Sequence, residues 1–287
     1  MNLIQKLTEI RATNPQAIFV AMDNRAPGVF PRGRKMIIIA CDHPARGALA
    51  AGTDSLAMGS REELLTRCAE ALSRPGVDGF LGTADMIEDL TLLGSLENKL
   101  VYGSMNRVGL AGAKFEIDDR FASYTPQGIA RAHLDGGKTL TRICYDDPNT
   151  ARTLETTAKI LGEMARLHLP TIVEPFISHW QGEKIVNDLT TAAVIRAINI
   201  AAGLGDTSAY TWLKLPCVKN MQEVMESTTL PTLILGGEVS PDPDATMERW
   251  AKALELPGVR GLIIGRSLLF PKDDDVAKAV DKTVSLL

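Results

Sequence analysis

Short apolar runs alternate with amphipathic stretches along almost the whole chain. The apolar runs have the length and the β-branched content of strands, and helical spacing fills most of the gaps between them. The predicted strands cover residues 36–44, 77–83, 99–105, 138–145, 171–176, 210–216, 231–237 and 259–267. The predicted helices cover residues 60–74, 85–96, 126–134, 149–168, 189–204, 220–228, 243–255 and 274–286, and an irregular loop is predicted for residues 107–124.

This alternation predicts a parallel sheet that is covered by helices on both faces. Eight strand–helix units in roughly 250 residues are what a closed (β/α)8 barrel requires. An open, doubly wound sheet is the structural competitor, but its glycine-rich fingerprint after the first strand is missing. We therefore predict an α/β chain with one (β/α)8 TIM barrel over residues 36–287. A short N-terminal extension, residues 1–35, is expected to pack under or beside it.

The composition is that of a soluble globular protein, with 45% hydrophobic and 23% charged residues. The formal net charge is -4 and no basic run is present, which argues against a non-specific nucleic-acid binder. The four cysteines form no Cys-x-x-Cys pair, and the histidines show no metal-ligand pattern. No apolar stretch reaches the roughly 20 residues that span a bilayer. We therefore expect a reduced cytoplasmic protein with no metal, no cofactor, no nucleic-acid partner and no membrane partner.

In a barrel of this kind, the active site lies at the C-terminal ends of the strands, and Lys214 is the first candidate there. Lysine is depleted in strands, and among Trp212, Leu213, Leu215 and Pro216 its amine would be poorly solvated. Desolvation favours the neutral, nucleophilic amine, which can form a Schiff base with a ketone or an aldehyde. The alternative is a structural lysine paired with Glu174 on the adjacent strand. The spacing does not separate the two.

Acidic and basic side chains follow or lie in the other predicted strands. Asp42 and Glu174 are candidate proton shuttles for imine chemistry, because the substrate hydroxyl and the carbinolamine both exchange protons. The alternative is a salt-bridge network at the top of the barrel with Arg107 and Arg142. His43 is weaker evidence, since a histidine at a strand end is as often a hydrogen-bonding cap as a catalyst.

Glycines after the last two predicted strands suggest an anion site. Gly236 and Gly237 would allow backbone N–H groups to approach a ligand closely. Gly265 and Arg266 open a segment that can form a short helix, and barrels frequently bind phosphate at this position. Such glycine pairs also occur in any tight turn, so the signal gains weight only when it is combined with Lys214.

Six segments together resemble the class I, Schiff-base aldolases of the deoxyribose-phosphate and tagatose-bisphosphate aldolase superfamily. They are IIIACDHPARG, LDGGK, TIVEPF, YTWLKLP, LPTLILGG and GLIIGRSLLF, and they run from about residue 36 to the C-terminus. More narrowly, the chain is similar to bacterial barrel proteins associated with myo-inositol breakdown. The resemblance rests on the order and strand placement of the segments rather than on any one of them. Barrels of this superfamily are commonly oligomeric, so a homo-oligomer is expected.

The resemblance implies that Lys214 is the imine-forming lysine and that Asp42 and Glu174 serve as acid/base or positioning groups. It also implies that Gly237, Gly265 and Arg266 belong to phosphate-binding turns. The substrate-binding candidates on the other strands are His43, Asn106, Arg107 and Arg142.

One position departs from the pattern of the relatives. Several of them carry a second lysine on the fourth strand, where this chain has Thr141 and Arg142, with Lys138 earlier in the strand. Arginine stays protonated and cannot relay a proton, but it can clamp a carboxylate or phosphate. This departure favours a substrate with an extra anionic group.

The leading hypothesis is a lyase that cleaves a phosphorylated keto-sugar or keto-sugar acid to dihydroxyacetone phosphate and an aldehyde. The resemblance points to 2-deoxy-5-keto-gluconate 6-phosphate, with malonate semialdehyde as the aldehyde. Three alternatives stay open: an aldolase for a tagatose, fructose or sulfofructose phosphate, a thiolase-like acyltransferase that uses coenzyme A, and a non-catalytic barrel that binds sugar phosphates.

Overall fold

The strands form one closed parallel barrel, which confirms the predicted (β/α)8 TIM fold. The computed structural model describes residues 2–240 and 242–287. Its strands are β1 (Met36–Cys41), β2 (Gly79–Gly82), β3 (Leu100–Ser104), β4 (Gly136–Ile143), β5 (Thr171–Gln181), β6 (Lys184–Asn187), β7 (Thr211–Pro216), β8 (Thr232–Leu235) and β9 (Val259–Ile264). Around the barrel the order is β1, β2, β3, β4, β5, β7, β8, β9, and pairing of β4 with β5 and of β9 with β1 closes the ring.

Helices cover the outside of the barrel and also form most of the N-terminal extension. They are α1 (Leu3–Thr13), α2 (Gln16–Asn24), α3 (Arg61–Ser73), α4 (Ala84–Leu92), α5 (Pro126–Arg131), α6 (Asn149–Arg166), α7 (Thr191–Ala202), α8 (Met221–Glu226), α9 (Pro243–Leu254), α10 (Arg266–Leu269) and α11 (Val276–Val284), with a short 3-10 helix at Pro44–Arg46. No helix among residues 2–240 and 242–287 has the length and hydropathy needed to cross a membrane.

The sequence prediction misses one strand, β6. The strand predicted at 171–176 continues to Gln181, turns at Gly182 and pairs antiparallel with β6. β6 alternates exposed and half-buried residues and lies beside a polar turn, so its pattern is that of a loop. Because of this extra strand, Lys214 lies on β7, the sixth strand of the barrel itself.

The strands present two different layers of side chains. One set faces the helices and merges with their apolar faces into the main core. The other set faces the barrel axis and fills its lower half with apolar side chains: Met36, Ile38, Ala40, Leu81, Leu100, Tyr102, Ile172, Leu233 and Ile263. Since side chains alternate along a strand, the residue two positions after an inward-facing one also faces the axis.

The N-terminal extension is attached at the lower end of the barrel, where the strands begin. The Arg25 guanidinium donates hydrogen bonds of 2.8 Å to the carbonyl oxygens of Lys99 and of His133, which precede β3 and β4. Phe30 packs edge-on against Trp212, with the ring centroids 5.5 Å apart. The opposite end, where the strands finish, therefore remains the face at which a site can be built.

Candidate active site

Four charged side chains form a layer directly above the apolar filling of the barrel. Asp42 follows β1, Lys138 lies on β4, Glu174 on β5 and Lys214 on β7. Glu174 is two residues beyond Ile172, which faces the barrel axis, so the period of two directs it inward as well. The same rule places Asp42 above Ala40, and the four side chains meet although more than 170 residues separate the first from the last.

The four groups contact one another in a row of alternating charge. The Lys214 Nζ atom lies 3.0 Å from Glu174 Oε1, and the Lys138 Nζ atom lies 2.5 Å from Glu174 Oε2. Lys138 Nζ also donates a 3.1 Å hydrogen bond to Asp42 Oδ2. Each of these side chains is nearly buried, with 2% of Asp42, 2% of Lys138, 11% of Glu174 and 5% of Lys214 exposed. Such groups are stable inside a protein only because they are paired.

The pairing determines the protonation of the two carboxylates. Burial alone would raise the pKa of Glu174, but the charges of Lys138 and Lys214 lower that pKa to about 2. Burial would likewise raise the pKa of Asp42, but the charges of Arg107 and Lys138 hold it well below its usual value. Burial lowers the pKa of Lys138, against the opposing effect of both carboxylates. Both acids are therefore anionic at neutral pH, as bases must be before they accept a proton.

Asp42 has further partners at the upper end of β3. Ser104 Oγ donates a 3.0 Å hydrogen bond to Asp42 Oδ2. Arg107 Nη2 lies 3.2 Å from the same oxygen, which is an ion-pair distance, but its N–H groups are not aligned for a hydrogen bond. Arg107 is held instead by the carbonyl oxygens of Asp42, at 3.1 Å from Nη1, and of Asn106, at 2.5 Å from Nε.

His43 lies beside this group without joining the row of charges. Its Nδ1 atom is 3.9 Å from Asp42 Oδ1 and has no hydrogen-bond partner. Burial lowers the pKa of His43 to about 3, so the ring is neutral at physiological pH. It also lies against the β9 turn, because a Cβ atom added at Gly265 would be 3.2 Å from His43 Cε1.

Asn106 and Arg142, two predicted substrate-binding residues, are both engaged by the protein. Asn106 Oδ1 accepts a 2.8 Å bond from the Leu140 N–H and its Nδ2 donates a 2.6 Å bond to the Leu140 carbonyl, which extends the pairing of β3 with β4. Arg142 forms an ion pair with Glu116, a residue of the loop between β3 and α5. Arg46 binds the same Glu116 oxygen at 2.8 Å. These contacts satisfy both polar atoms of the Asn106 side chain and pair the Arg142 charge, while Arg142 Nε is buried without a hydrogen-bond partner.

The two glycine turns lie side by side at the ends of β8 and β9. Gly237 has a φ of +70°, a left-handed conformation that glycine adopts without strain. A Cβ atom at Gly236 would lie 3.1 Å from Ser267 Oγ, so the turn faces the start of α10. Ser267 Oγ and Arg266 Nε are both buried without a hydrogen-bond partner. Unsatisfied buried donors are uncommon, and here two of them lie beside the predicted phosphate turns.

Comparison with known proteins now identifies the family. A family model described as Cgl0159-like matches residues 34–284. The chain belongs to the Cgl0159-like family. The crystal structure of Cgl0159 from Corynebacterium glutamicum is 52% identical in sequence, with a TM-score of 0.96, over 99% of this chain and 96% of that one. A search of curated proteins found no match.

More distant solved structures share the barrel of this Cgl0159-like chain. A Schiff-base-forming fructose-1,6-bisphosphate aldolase is 18% identical, with a TM-score of 0.63, over 94% of this chain and 99% of that one. An archaeal fructose-1,6-bisphosphate aldolase, with its catalytic lysine covalently bound to the carbinolamine intermediate, is 17% identical with a TM-score of 0.61, over 94% of this chain and 97% of that one. At these identities the likeness shows the fold alone.

Lys138 is a residue of this Cgl0159-like site that the sequence analysis placed on the fourth strand without assigning it a role. The predicted fourth strand began at Lys138, whereas β4 begins at Gly136. The contacts of Lys138 with Asp42 and Glu174 show that its side chain faces the barrel axis. The signal that selected Lys214, a lysine inside an otherwise uncharged strand, is weaker at Lys138, because Arg142 lies on the same strand. Ser104, Arg46 and Glu116 were missed, and nothing in their local sequence distinguishes them.

The arrangement is chemically suited to moving protons. Glu174 contacts a lysine with each of its oxygens, so it can pass a proton between Lys214 and Lys138 with little movement. Lys138 in turn contacts Asp42, which extends the path to the β1 side of the mouth. Among residues 2–240 and 242–287, no cluster of histidine, cysteine or acidic side chains has the arrangement of a metal site.

Proposed function

We propose that this protein is a class I aldolase in which Lys214 forms an imine with a phosphorylated keto-sugar. The observation that carries the proposal is the buried row Lys214–Glu174–Lys138–Asp42 at the C-terminal ends of the barrel strands. An imine-forming lysine needs a proton donor and a proton acceptor within reach, and this row supplies both.

In the proposed reaction, the neutral amine of Lys214 adds to the ketone carbon while the carbonyl oxygen takes up a proton. The nitrogen gives up a proton, and the hydroxyl of the resulting carbinolamine takes up a second proton and leaves as water, which yields an iminium ion. A substrate hydroxyl then gives up its proton, the neighbouring C–C bond breaks, and its electron pair moves to the iminium nitrogen. This releases the aldehyde and leaves an enamine on Lys214. Protonation of the enamine carbon and hydrolysis of the imine release dihydroxyacetone phosphate and restore the lysine.

The contacts support a separate role for each partner. Glu174 lies against Lys214 and Lys138, so we assign it the proton transfers at nitrogen and the carbinolamine oxygen, with Lys138 as the second carrier. Asp42 lies at the other end of the row, so we assign it the proton of the substrate hydroxyl. Its low pKa means that it starts as a carboxylate and can accept that proton.

The substrate phosphate is proposed to bind at Gly236, Gly237, Gly265 and Arg266. The support is the open space beside Gly237 and the two buried donors, Arg266 Nε and Ser267 Oγ, that have no hydrogen-bond partner in the protein. A phosphate oxygen would satisfy both, and backbone N–H groups at the glycine turns would add further bonds.

We propose a keto-sugar acid phosphate as the substrate, with 2-deoxy-5-keto-gluconate 6-phosphate as the specific candidate and malonate semialdehyde as its aldehyde product. The specific sugar rests on the family resemblance. Its physical support is Arg107, whose Nη2 is buried without a hydrogen-bond partner on the β3 side of the mouth. In the ring of eight strands, β3 lies opposite β8, so a substrate with an anionic group at each end would pass over the charged layer.

The second candidate function is a non-catalytic barrel that binds a sugar phosphate. The observation that favours it is the 3.0 Å ion pair between Lys214 and Glu174, which would be the whole role of Lys214 in such a protein.

Borohydride trapping separates the two functions. The full-length protein is incubated with dihydroxyacetone phosphate and sodium borohydride, and the digested protein is analysed by mass spectrometry. We expect one reduced adduct, on Lys214, and none in Lys214→Met. Lys159→Met is a matched control, because Lys159 is exposed and the variant should form the adduct on Lys214 to the same extent as the unmodified protein. An adduct on Lys138 would exchange the roles of the two lysines, and a folded protein with no adduct would favour the binding barrel.

A further inference from the structure

The two oxygens of the Asp42 carboxylate have very different surroundings. Oδ2 lies within 3.0 Å of Ser104 Oγ, 3.1 Å of Lys138 Nζ and 3.2 Å of Arg107 Nη2. Among the described residues, no protein group donates a hydrogen bond to Oδ1, and the His43 ring nitrogen nearest to it is 3.9 Å away. One oxygen is thus held by the protein, and the other is left for a ligand.

We infer that Ser104 is a positioning residue, whose hydroxyl fixes the Asp42 carboxylate so that Oδ1 meets the substrate hydroxyl. This inference rests on the proposed aldolase reaction, in which Asp42 takes the hydroxyl proton. Ser104 is the last residue of β3 and its exposed fraction is 0%. Its side chain faces the barrel axis, since Tyr102, two residues earlier, belongs to the axial apolar layer.

The neighbouring cations are poorly suited to this task. The final torsion of an aspartate side chain is soft, so the carboxylate orientation depends on directional partners. The Lys138 ammonium is shared with Glu174, which it contacts more closely, at 2.5 Å. The Arg107 N–H groups are turned away from Oδ2, as the absence of a hydrogen bond at Nη2 shows. Ser104 supplies a directional bond and leaves the net charge of the site unchanged.

The test is Ser104→Ala, with imine formation and C–C bond formation measured separately. Trapping of dihydroxyacetone phosphate on Lys214 should keep its rate, because Asp42 is not needed for that step. For condensation with malonate semialdehyde, kcat should fall by about 10- to 100-fold, which is the range expected for loss of one hydrogen bond to a charged group. KM should change less than about twofold. The acidic limb of its pH profile should move to higher pH, since the anionic form of Asp42 loses a donor.

Two further variants identify the cause of the loss. Ser104→Thr keeps a hydroxyl and should restore most of the condensation rate. Thr139→Val is the matched control, because it removes a buried hydroxyl from the opposite face of β4. Among the described side chains, that hydroxyl contacts only the Thr141 hydroxyl. The condensation rate of Thr139→Val should equal that of the unmodified protein. A rate equal to the wild-type rate in Ser104→Ala would overturn the inference.

A measurement without substrate covers the case in which malonate semialdehyde is not the partner. The carboxylate stretching band of Asp42 can be identified in 13C-aspartate-labelled protein by its loss in Asp42→Asn. We expect that band to shift in Ser104→Ala and to stay in place in Thr139→Val, and an unshifted band in Ser104→Ala would contradict the inference. Failure of the unmodified protein to be trapped on Lys214 would instead count against the aldolase function, whatever the band shows.

Discussion

The inside of the barrel contains two layers that are made by the same strands and differ completely in character. The lower layer is apolar, and its members such as Ile38 and Ile172 are almost completely buried. The upper layer begins two residues further along each strand, a rise of about 7 Å, and consists of paired charges such as Glu174 and Lys214. A step of two residues therefore separates the part of the barrel that stabilises the fold from the part that we propose carries the reaction.

The difference between the layers shows how a buried charged site is tolerated. Burying an apolar side chain is favourable by itself, whereas burying an ion is costly unless a partner compensates for it. Each charge of the upper layer therefore depends on an oppositely charged neighbour, whereas burial of each apolar member of the lower layer is favourable without such a partner. Substitutions in the upper layer should lower both activity and stability, whereas substitutions in the lower layer should lower stability and leave imine formation intact.

The largest expected effect is that of Lys138→Met in the upper layer. It removes the cation between Asp42 and Glu174, so we expect kcat to fall by roughly 10²- to 10⁴-fold, the range for loss of a proton carrier. The free energy of unfolding should also fall, by about 3–5 kcal/mol, because two buried carboxylates lose their shared partner. Steady-state kinetics and urea unfolding measure the two changes. A variant with normal kcat would remove Lys138 from the proposed mechanism.

The complementary substitution is Ile38→Ala in the lower layer, four residues before Asp42. The truncated side chain leaves a cavity, so the free energy of unfolding should drop by about 2–5 kcal/mol. The milder Ile38→Val should cost about 0.5–1.5 kcal/mol. Borohydride trapping on Lys214 should proceed normally in the folded fraction of both variants. Loss of trapping in folded Ile38→Val would mean that the two layers are not separable.

A smaller effect is expected at the lower end of the barrel, where Arg25 binds the carbonyl oxygens that precede β3 and β4. Arg25→Met keeps much of the apolar stem but leaves these buried carbonyls without their donor, at a cost of about 1–3 kcal/mol. Thermal unfolding should report the loss, while kcat and KM should stay unchanged. A change in KM would connect the N-terminal extension to the upper layer.

At neutral pH the smallest effect is expected at His43, because its contribution appears only as the pH falls. Its pKa is lowered to about 3 in the folded protein, mainly by burial, against an ordinary value of 6.5. The unfolded chain therefore binds one more proton than the folded chain between these values, and stability falls as the pH decreases through that window. His43→Gln should lose less stability than the unmodified protein between pH 6.5 and about pH 4. Urea unfolding of both proteins across that pH range measures the difference in stability. If the free energies of unfolding of the two proteins fall in parallel, the buried ring is not neutral in the folded protein.

The two lysines of the site show how far sequence reasoning reaches. The apolar residues of YTWLKLP single out Lys214, whereas the fourth strand carries two charges, Lys138 and Arg142. Lys138 was placed on the fourth strand, but the sequence did not decide whether Lys138 or Arg142 takes the place of the relatives' second lysine. Side chains alternate between the two faces of a strand, and the sequence alone left open which face of this strand is directed at the barrel axis. The direction of an inward-facing residue depends on register, and local propensity defines register poorly at strand ends.

Other partners lie beyond any local pattern. Arg142 was considered as a clamp for a substrate anion, and the structure pairs it with Glu116 in the long loop after β3. Those two residues are 26 positions apart and meet only because that loop folds back over β4. The same folding brings Arg46 to Glu116 from the segment that follows β1.

The sequence by itself determined the repeating strand–helix pattern and therefore the barrel, because the alternation of apolar runs encodes which faces must be buried. It also indicated Lys214, Asp42 and Glu174 as residues of one mouth, since parallel strands end on the same side of a barrel. Only the tertiary structure decided which oxygen contacts which nitrogen, that Lys138 completes the row, and that Ser104 holds Asp42. These are contacts between distant strands, and they depend on the closure and stagger of the barrel, which no local stretch of sequence specifies.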